Sequence, residues 1–183
     1  MPVTLADATF RTLSDLVAEA QAAGPTWELA APSAYLVVFL PAGTDTAPLA
    51  TDSDSTRLAI SPTALPGSTT AVIPLRSGQV FATKGPISLG RSSVCDVVLS
   101  LSALSKVHAF FAELTPAVWT IEDLGSKNGT LLNGAPLAPK KPAELPDGAE
   151  LKLGDVEATF WLRATLSQEI RRQAPLDPRE GGP

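Results

Sequence analysis

At 183 residues, 44% of them apolar, the chain is long enough to bury one good core, or one core with a small companion. A net charge of −5, from 14 Lys and Arg against 19 Asp and Glu, argues against a nucleic-acid backbone as main partner, because such binding draws on many cationic contacts. A single cysteine, Cys95, excludes an internal disulfide, and with a single histidine it leaves too few soft ligands for a zinc cluster.

The first ten residues, "MPVTLADATF", lack the basic start and apolar centre of a secretory leader, and no apolar run reaches the ~18 residues of a membrane span. A cytoplasmic chain without a membrane partner is expected. Phe10, Leu13, Val17 and Ala20 then fall on one face at helical spacing, with Asp7 able to cap the start and Gly24-Pro25 closing the end. This pattern predicts a helix over about 7–23. "AYLVVFLP" follows, a short β-branched and aromatic run ended by Pro41, and predicts a buried strand over about 34–40. The Thr-, Ser-, Asp- and Pro-rich stretch over about 42–56 has little to bury and reads as a solvated loop. Residues 1–70 are therefore expected to be an N-terminal extension whose role, a brace for the main domain or a docking surface, the sequence leaves open.

From 71 to 163 the texture changes. "AVIPL", "QVFAT", "ISLG", "DVVLS", "HAFFAEL", "VWTIEDL", "GTLLNG", "AELKLG" and "EATFWL" are short apolar or alternating runs, separated by turn pairs such as Asn128-Gly129, Asn133-Gly134 and Asp147-Gly148. So many short strands without helices between them indicate an all-β sandwich. Residues 164–183 open with "LSQEIRRQ", one or two helical turns, and end in a Pro-, Gly- and charge-rich tail expected to fray.

A sandwich gathers its loops at two ends, where a rigid scaffold can hold binding residues. Between Lys84 and Lys141 there are six cations (84, 91, 106, 127, 140, 141) against four acids (96, 113, 122, 123), so this segment is basic inside an acidic chain. Three loops, "LGRSSVCD", "LSALSKVH" and "DLGSKNGTLLNG", carry Arg91, Ser105, Lys106 and Asn128. A planar guanidinium, a mobile ammonium and a hydroxyl match the oxygens of a phosphate monoester, and an amide offers a donor and an acceptor to a peptide backbone. No nucleophile with a matched base is evident. Ser105 and His108 have only spacing in common with a Ser-His pair, and no Gly-x-Ser-x-Gly elbow or glycine-rich nucleotide loop occurs, so an enzyme is not expected.

"ISLGRSSVCDVVL", "LSKVHAFF", "WTIEDLGSKNGTLLNG" and "LPDGAELKLGDVEATFWL" together resemble the forkhead-associated (FHA) domain, with Gly-Arg, Ser-x-x-His, Asn-Gly-Thr and Asn-Gly in that family's order. The resemblance covers about 71–163. It implies a β-sandwich of about eleven strands that recognises phosphothreonine in a partner protein, such as a Ser/Thr kinase or its substrate, without cofactor, metal or nucleic acid. Arg91, Ser105 and Lys106 would contact phosphate, Asn128 would hold the peptide backbone, and Lys127 would add charge or read a neighbouring residue. Gly90, His108, Gly129 and Asn133 would support the loops, His108 by bracing the one that carries Ser105. Two departures stand out: Lys106 occupies a place where the family usually has Arg, which keeps the charge and loses the bidentate fork, and Leu101 stands where an acidic or amide residue is common.

Each position also has a plainer reading. Arg91 would pair with Asp96 at the surface, Ser105 would close its own turn, Lys106 would be a solvated charge, and Asn128 and Asn133 would be hairpin formers. Cys95, Trp119 and Trp161 read as packing residues. The alternative function is a docking scaffold that uses the same fold without phosphate. Thr51, with Asp54 three places on, fits a pattern some family members prefer and would, once phosphorylated, fill this site or a neighbour's; a solvated linker has the same look.

Overall fold

A computed structural model describes residues 11–40, 58–60, 69–76 and 85–174. In chain order these form β1 (Arg11–Thr12), α1 (Leu13–Ala23), β2 (Ala34–Leu40), β3 (Leu58–Ile60), β4 (Thr69–Pro74), β5 (Ile87–Gly90), β6 (Val97–Leu99), β7 (Ala109–Thr115), β8 (Val118–Asp123), β9 (Thr130–Leu132), β10 (Ala135–Pro136), β11 (Ala143–Leu145), β12 (Glu150–Leu153), β13 (Val156–Leu162) and α2 (Arg163–Gln173). One sheet runs β1-β4-β2-β13-β12-β9-β10 and the other β11-β8-β7-β5-β6-β3. The architecture is a two-sheet β-sandwich with a helical layer.

Alternation builds the core between the sheets. Ala34, Leu36, Val38 and Leu40 of β2, Ala71 and Ile73 of β4, and Ala158 and Phe160 of β13 point inward, against Leu89, Phe111, Trp119 and Ile121 of the other sheet. Trp119 packs on Phe160 with ring centroids 5.6 Å apart in a tilted arrangement.

Residues 34–40 are built into one of the two sheets. β2 lies between β4 and β13, with Leu36 opposite Ile73 on one side and Phe160 on the other. Its other face carries Tyr35 and Val37, which join Val72, Leu16, Ala20, Trp27, Leu29, Leu166 and Ile170 in a second apolar cluster. Over residues 34–38 the strand is covered on both faces and so loses polar alternation, whereas Phe39 is exposed.

Both helices differ from their sequence boundaries. α1 starts at Leu13, not near 7: Thr12 and Asp15 form a capping box in which each side chain accepts the other's backbone N–H at 3.0 Å. Asp7 lies outside the described residues. α2 is an eleven-residue helix rather than one or two turns of tail. Leu166, Ile170 and Ala174 recur every fourth residue and pack on α1 and Trp27, while the Ser167 hydroxyl accepts the Leu29 N–H at 3.1 Å. The expected strand at 79–83, the loop at 42–56 with Thr51, and the tail beyond 174 also lie outside the described residues.

Among the described residues no helix is long and apolar enough to cross a membrane.

Candidate functional site

β5 ends at Gly90, β7 begins at Ala109, β8 ends at Asp123 and β9 begins at Thr130, so antiparallel pairing of β5 with β7 and β7 with β8 brings the loops 91–96, 100–108 and 124–129 to one pole. Hydrogen bonds then fasten them together. Arg91 N donates to Ser105 O and Ser92 N to Lys106 O, both at 3.0 Å. Lys127 N donates to the Ser105 hydroxyl at 2.9 Å, and Asn128 Nδ2 to Ala103 O at 2.9 Å. Ser105 is thus the joint of the site: its carbonyl holds the Arg91 loop and its Oγ holds the Lys127 loop.

This close seating explains Gly90. A Cβ there would lie 2.3 Å from the Lys106 carbonyl oxygen and 2.9 Å from Val107 Cα, both backbone atoms that cannot swing aside. Beneath Asn128, Gly154 (φ +59) plays the same part, its missing Cβ falling 2.5 Å from Ala103 O while its N–H donates to Gly129 O at 2.9 Å.

His108 is fully buried under the joint. Its Nδ1 accepts the Ser105 backbone N–H at 3.2 Å and so carries no proton, which leaves the proton on Nε2, 3.3 Å from Gly129 O. Burial pushes this imidazole below its ordinary pKa, against the opposing pull of the Asp123 carboxylate and the Gly129 carbonyl. The ring is neutral at pH 7. It faces the Ser105 amide and not its hydroxyl, so the two residues do not form a nucleophile–base pair.

Asp123 is the organising residue that sequence reasoning missed. Its Oδ1 accepts the N–H groups of Gly125 (2.8 Å) and Ser126 (2.9 Å), and its Oδ2 accepts the hydroxyls of Ser126 and Thr130 (both 2.6 Å). Burial opposes its ionisation, but these bonds outweigh burial and hold the carboxyl below the usual carboxylate range. The signal was present in Asp-x-Gly-Ser, where a carboxylate bonds the backbone two and three residues on. Ala103 and Gly154 carried no such local signal.

Around this frame Arg91, Lys106, Lys127 and Asn128 are exposed and Ser105 is half-buried. Asp96 does not neutralise Arg91: its Oδ2 takes the Ser88 N–H at 2.8 Å and the Ser88 hydroxyl at 2.6 Å, and Arg91 has no ion pair among the described residues. Gly129 turns the loop at φ +74 beside Asn128. Asn133 sits apart from the cluster, at φ +49 in the β9–β10 turn, where its side-chain oxygen accepts the Glu150 N–H at 2.9 Å. These joined loops thus carry three exposed cations, a hydroxyl proton free to donate and an amide oxygen free to accept. Such a surface suits a dianion attached to an extended backbone. Among the described residues no group of three or more His, Cys, Asp and Glu is placed to hold a metal ion.

Residues 87–154 match the family model of the FHA domain. An FHA domain-containing protein of Arabidopsis thaliana is 54% identical over an alignment 63 residues long that covers 31% of this chain and only 16% of that protein's length. Among solved structures, the MEK1 FHA domain in complex with a HOP1 phosphothreonine peptide is 26% identical with a TM-score of 0.41, covering 50% of this chain and 87% of that one. The N-terminal FHA domain of S. cerevisiae Rad53p with a phosphothreonine peptide is 25% identical with a TM-score of 0.39, covering 46% and 73%.

Proposed function

We propose, from the premise that residues 87–154 are an FHA domain, that this chain binds a phosphothreonine segment of a partner protein and serves as a non-catalytic adaptor in Ser/Thr kinase signalling. The phosphate sits between Arg91, Lys106 and the Ser105 hydroxyl, the Asn128 side chain takes a backbone group of the peptide, and Lys127 stands beside it. The observation that carries this reading is the dual bonding of Ser105, whose carbonyl and hydroxyl are tied to the loops of Arg91 and of Lys127-Asn128. A preassembled site loses little entropy on binding, whereas the flexible peptide must be ordered, so affinity in the micromolar range, about −8 kcal/mol, is expected.

Titration calorimetry with a phosphothreonine peptide array hit, its unphosphorylated twin and its phosphoserine analogue tests the reading. Binding of the first alone supports it. Equal binding of the phosphorylated and unphosphorylated peptides, or partner recovery that survives phosphatase treatment, replaces it with phosphate-independent docking.

A further inference from the structure

Two lysines of the basic segment, Lys140 and Lys141, take no part in the contacts around Ser105, and both are exposed in the loop between β10 and β11. This loop is tied to the same pole. Lys140 N donates to Asp123 O at 2.6 Å, so the residue whose side chain organises the 124–129 loop also holds Lys140 through its carbonyl. The Lys140 side chain then runs over Gly125: a Cβ on that glycine would lie 3.9 Å from Lys140 Cε, an ordinary van der Waals contact. The backbone of Lys140 has φ +59, where Gly or Asn is the relaxed choice and lysine costs conformational energy. Neither ammonium is neutralised within the fold. Lys140 and Lys141 form no ion pair among the described residues, and neither does Glu122, half-buried in β8, while Asp123 is buried with both carboxylate oxygens bonded.

We propose, resting on the phosphothreonine reading, that Lys140 selects partner segments with an aspartate or glutamate within about four residues of the phosphothreonine. The reach follows from the contacts. From the Ser105 hydroxyl the path runs through Lys127 N, 2.9 Å away, and along the backbone to Gly125, which keeps the Lys140 ammonium within about 16 Å of the phosphate seat. Extended peptide advances ~3.3 Å per residue, so about four residues and one acidic side chain span that distance. A compact ammonium gives a single carboxylate a charge-assisted bond without asking for bidentate geometry. The chain as a whole carries −5 and repels acidic peptides, so the preference arises from this local cation and depends on where the acid stands.

A phosphothreonine peptide array that varies each flanking position, probed with the full chain, is expected to select Asp or Glu at one or more of the nearest positions on either side. Calorimetry then compares the selected peptide with a twin whose acid is replaced by alanine. Wild type should bind the twin about three-fold more weakly, as loss of an exposed ion pair requires. Lys140→Gln should no longer distinguish the two peptides, and Lys140→Glu should prefer lysine at the same place. An acid moved well beyond reach of Lys140 should gain nothing. No acidic selection near the phosphothreonine, a gain that persists when the acid is moved away, or an undiminished difference in Lys140→Gln overturns the proposal. Phosphorylation-dependent binding without acidic selection removes this inference alone, whereas an array on which no peptide binds through its phosphate removes the phosphothreonine reading beneath it.

Discussion

The Ser105 hydroxyl accepts the Lys127 backbone N–H at 2.9 Å, across 22 positions of sequence, so one small side chain both belongs to the phosphate-facing surface and locks two loops. Ser105→Ala removes the donor to phosphate and the latch together. Because the Lys127 amide is exposed and water can replace the lost acceptor, the cost in stability should stay below about 1 kcal/mol, while phosphopeptide affinity falls about ten-fold or more. Calorimetry beside a thermal melt separates the two. A large drop in melting temperature with unchanged affinity would reverse the roles assigned here.

Gly90→Ala should act the other way round, on folding first. The added methyl would meet the Lys106 carbonyl at 2.3 Å, and relief requires moving the backbone of 105–107. Overpacking of this kind costs about 1–3 kcal/mol. Since Arg91 N and Ser92 N are bonded to the carbonyls of Ser105 and Lys106, any such shift also displaces Arg91, so affinity falls with stability. Chemical denaturation showing a wild-type midpoint would contradict the close approach.

Acid should loosen the site through His108. Its folded-state pKa is lowered by burial, whereas in the unfolded chain it returns to about 6.5. Below that value the unfolded chain takes up a proton that the folded chain resists, so stability is complete above about pH 6.5, declines as pH falls from there towards the lower folded-state value, by up to about 1.4 kcal/mol per pH unit, and levels off below it, where the folded chain is protonated too. A protonated Nδ1 could no longer accept the Ser105 amide, so the loop is released as well. The lowered Asp123 carboxyl acts in a separate window: its contribution is present above the unfolded value of about 3.9 and is lost only at lower pH. Denaturation midpoints measured from pH 5 to 8 should slope for wild type and flatten for His108→Asn, which offers an acceptor and a donor but does not titrate. Parallel slopes would remove His108 as the source.

Much of this arrangement was legible because its signals are local. "ISLG" coincides with β5, and alternation in "VWTIEDL" and "EATFWL" located β8 and β13, since a half-buried strand writes its face into every second residue. What failed was non-local. The place of 34–40 at the middle of a sheet depends on pairing with 69–74 and 156–162, which a run of apolar residues does not specify. The polar composition of 163–173 suggests no more than one or two turns before a tail, although Leu166, Ile170 and Ala174 mark one helical face over the full length of α2. In the site the cationic and amide side chains were conspicuous, whereas the Ala103 carbonyl and the space left by Gly154 are backbone features with no side chain to announce them.

Asp123 offers the sharpest test of how the third loop is held. Asp123→Asn keeps the shape and one carbonyl oxygen for the amides of Gly125 and Ser126, but places an NH2 group where the hydroxyls of Ser126 and Thr130 now donate. Turning a buried acceptor into a donor strands those groups, at a cost of about 1–3 kcal/mol. Thr130→Val, which removes one of the donors and keeps the volume, should cost about 1 kcal/mol. Because the two residues share a bond 2.6 Å long inside the fold, the double variant should lose less than the sum of the singles. Phosphopeptide affinity should fall in Asp123→Asn as well, since the 124–129 loop presents Lys127 and Asn128 from a turn this carboxylate holds. Strict additivity in denaturation, together with wild-type affinity, would mean the loop keeps its shape without Asp123.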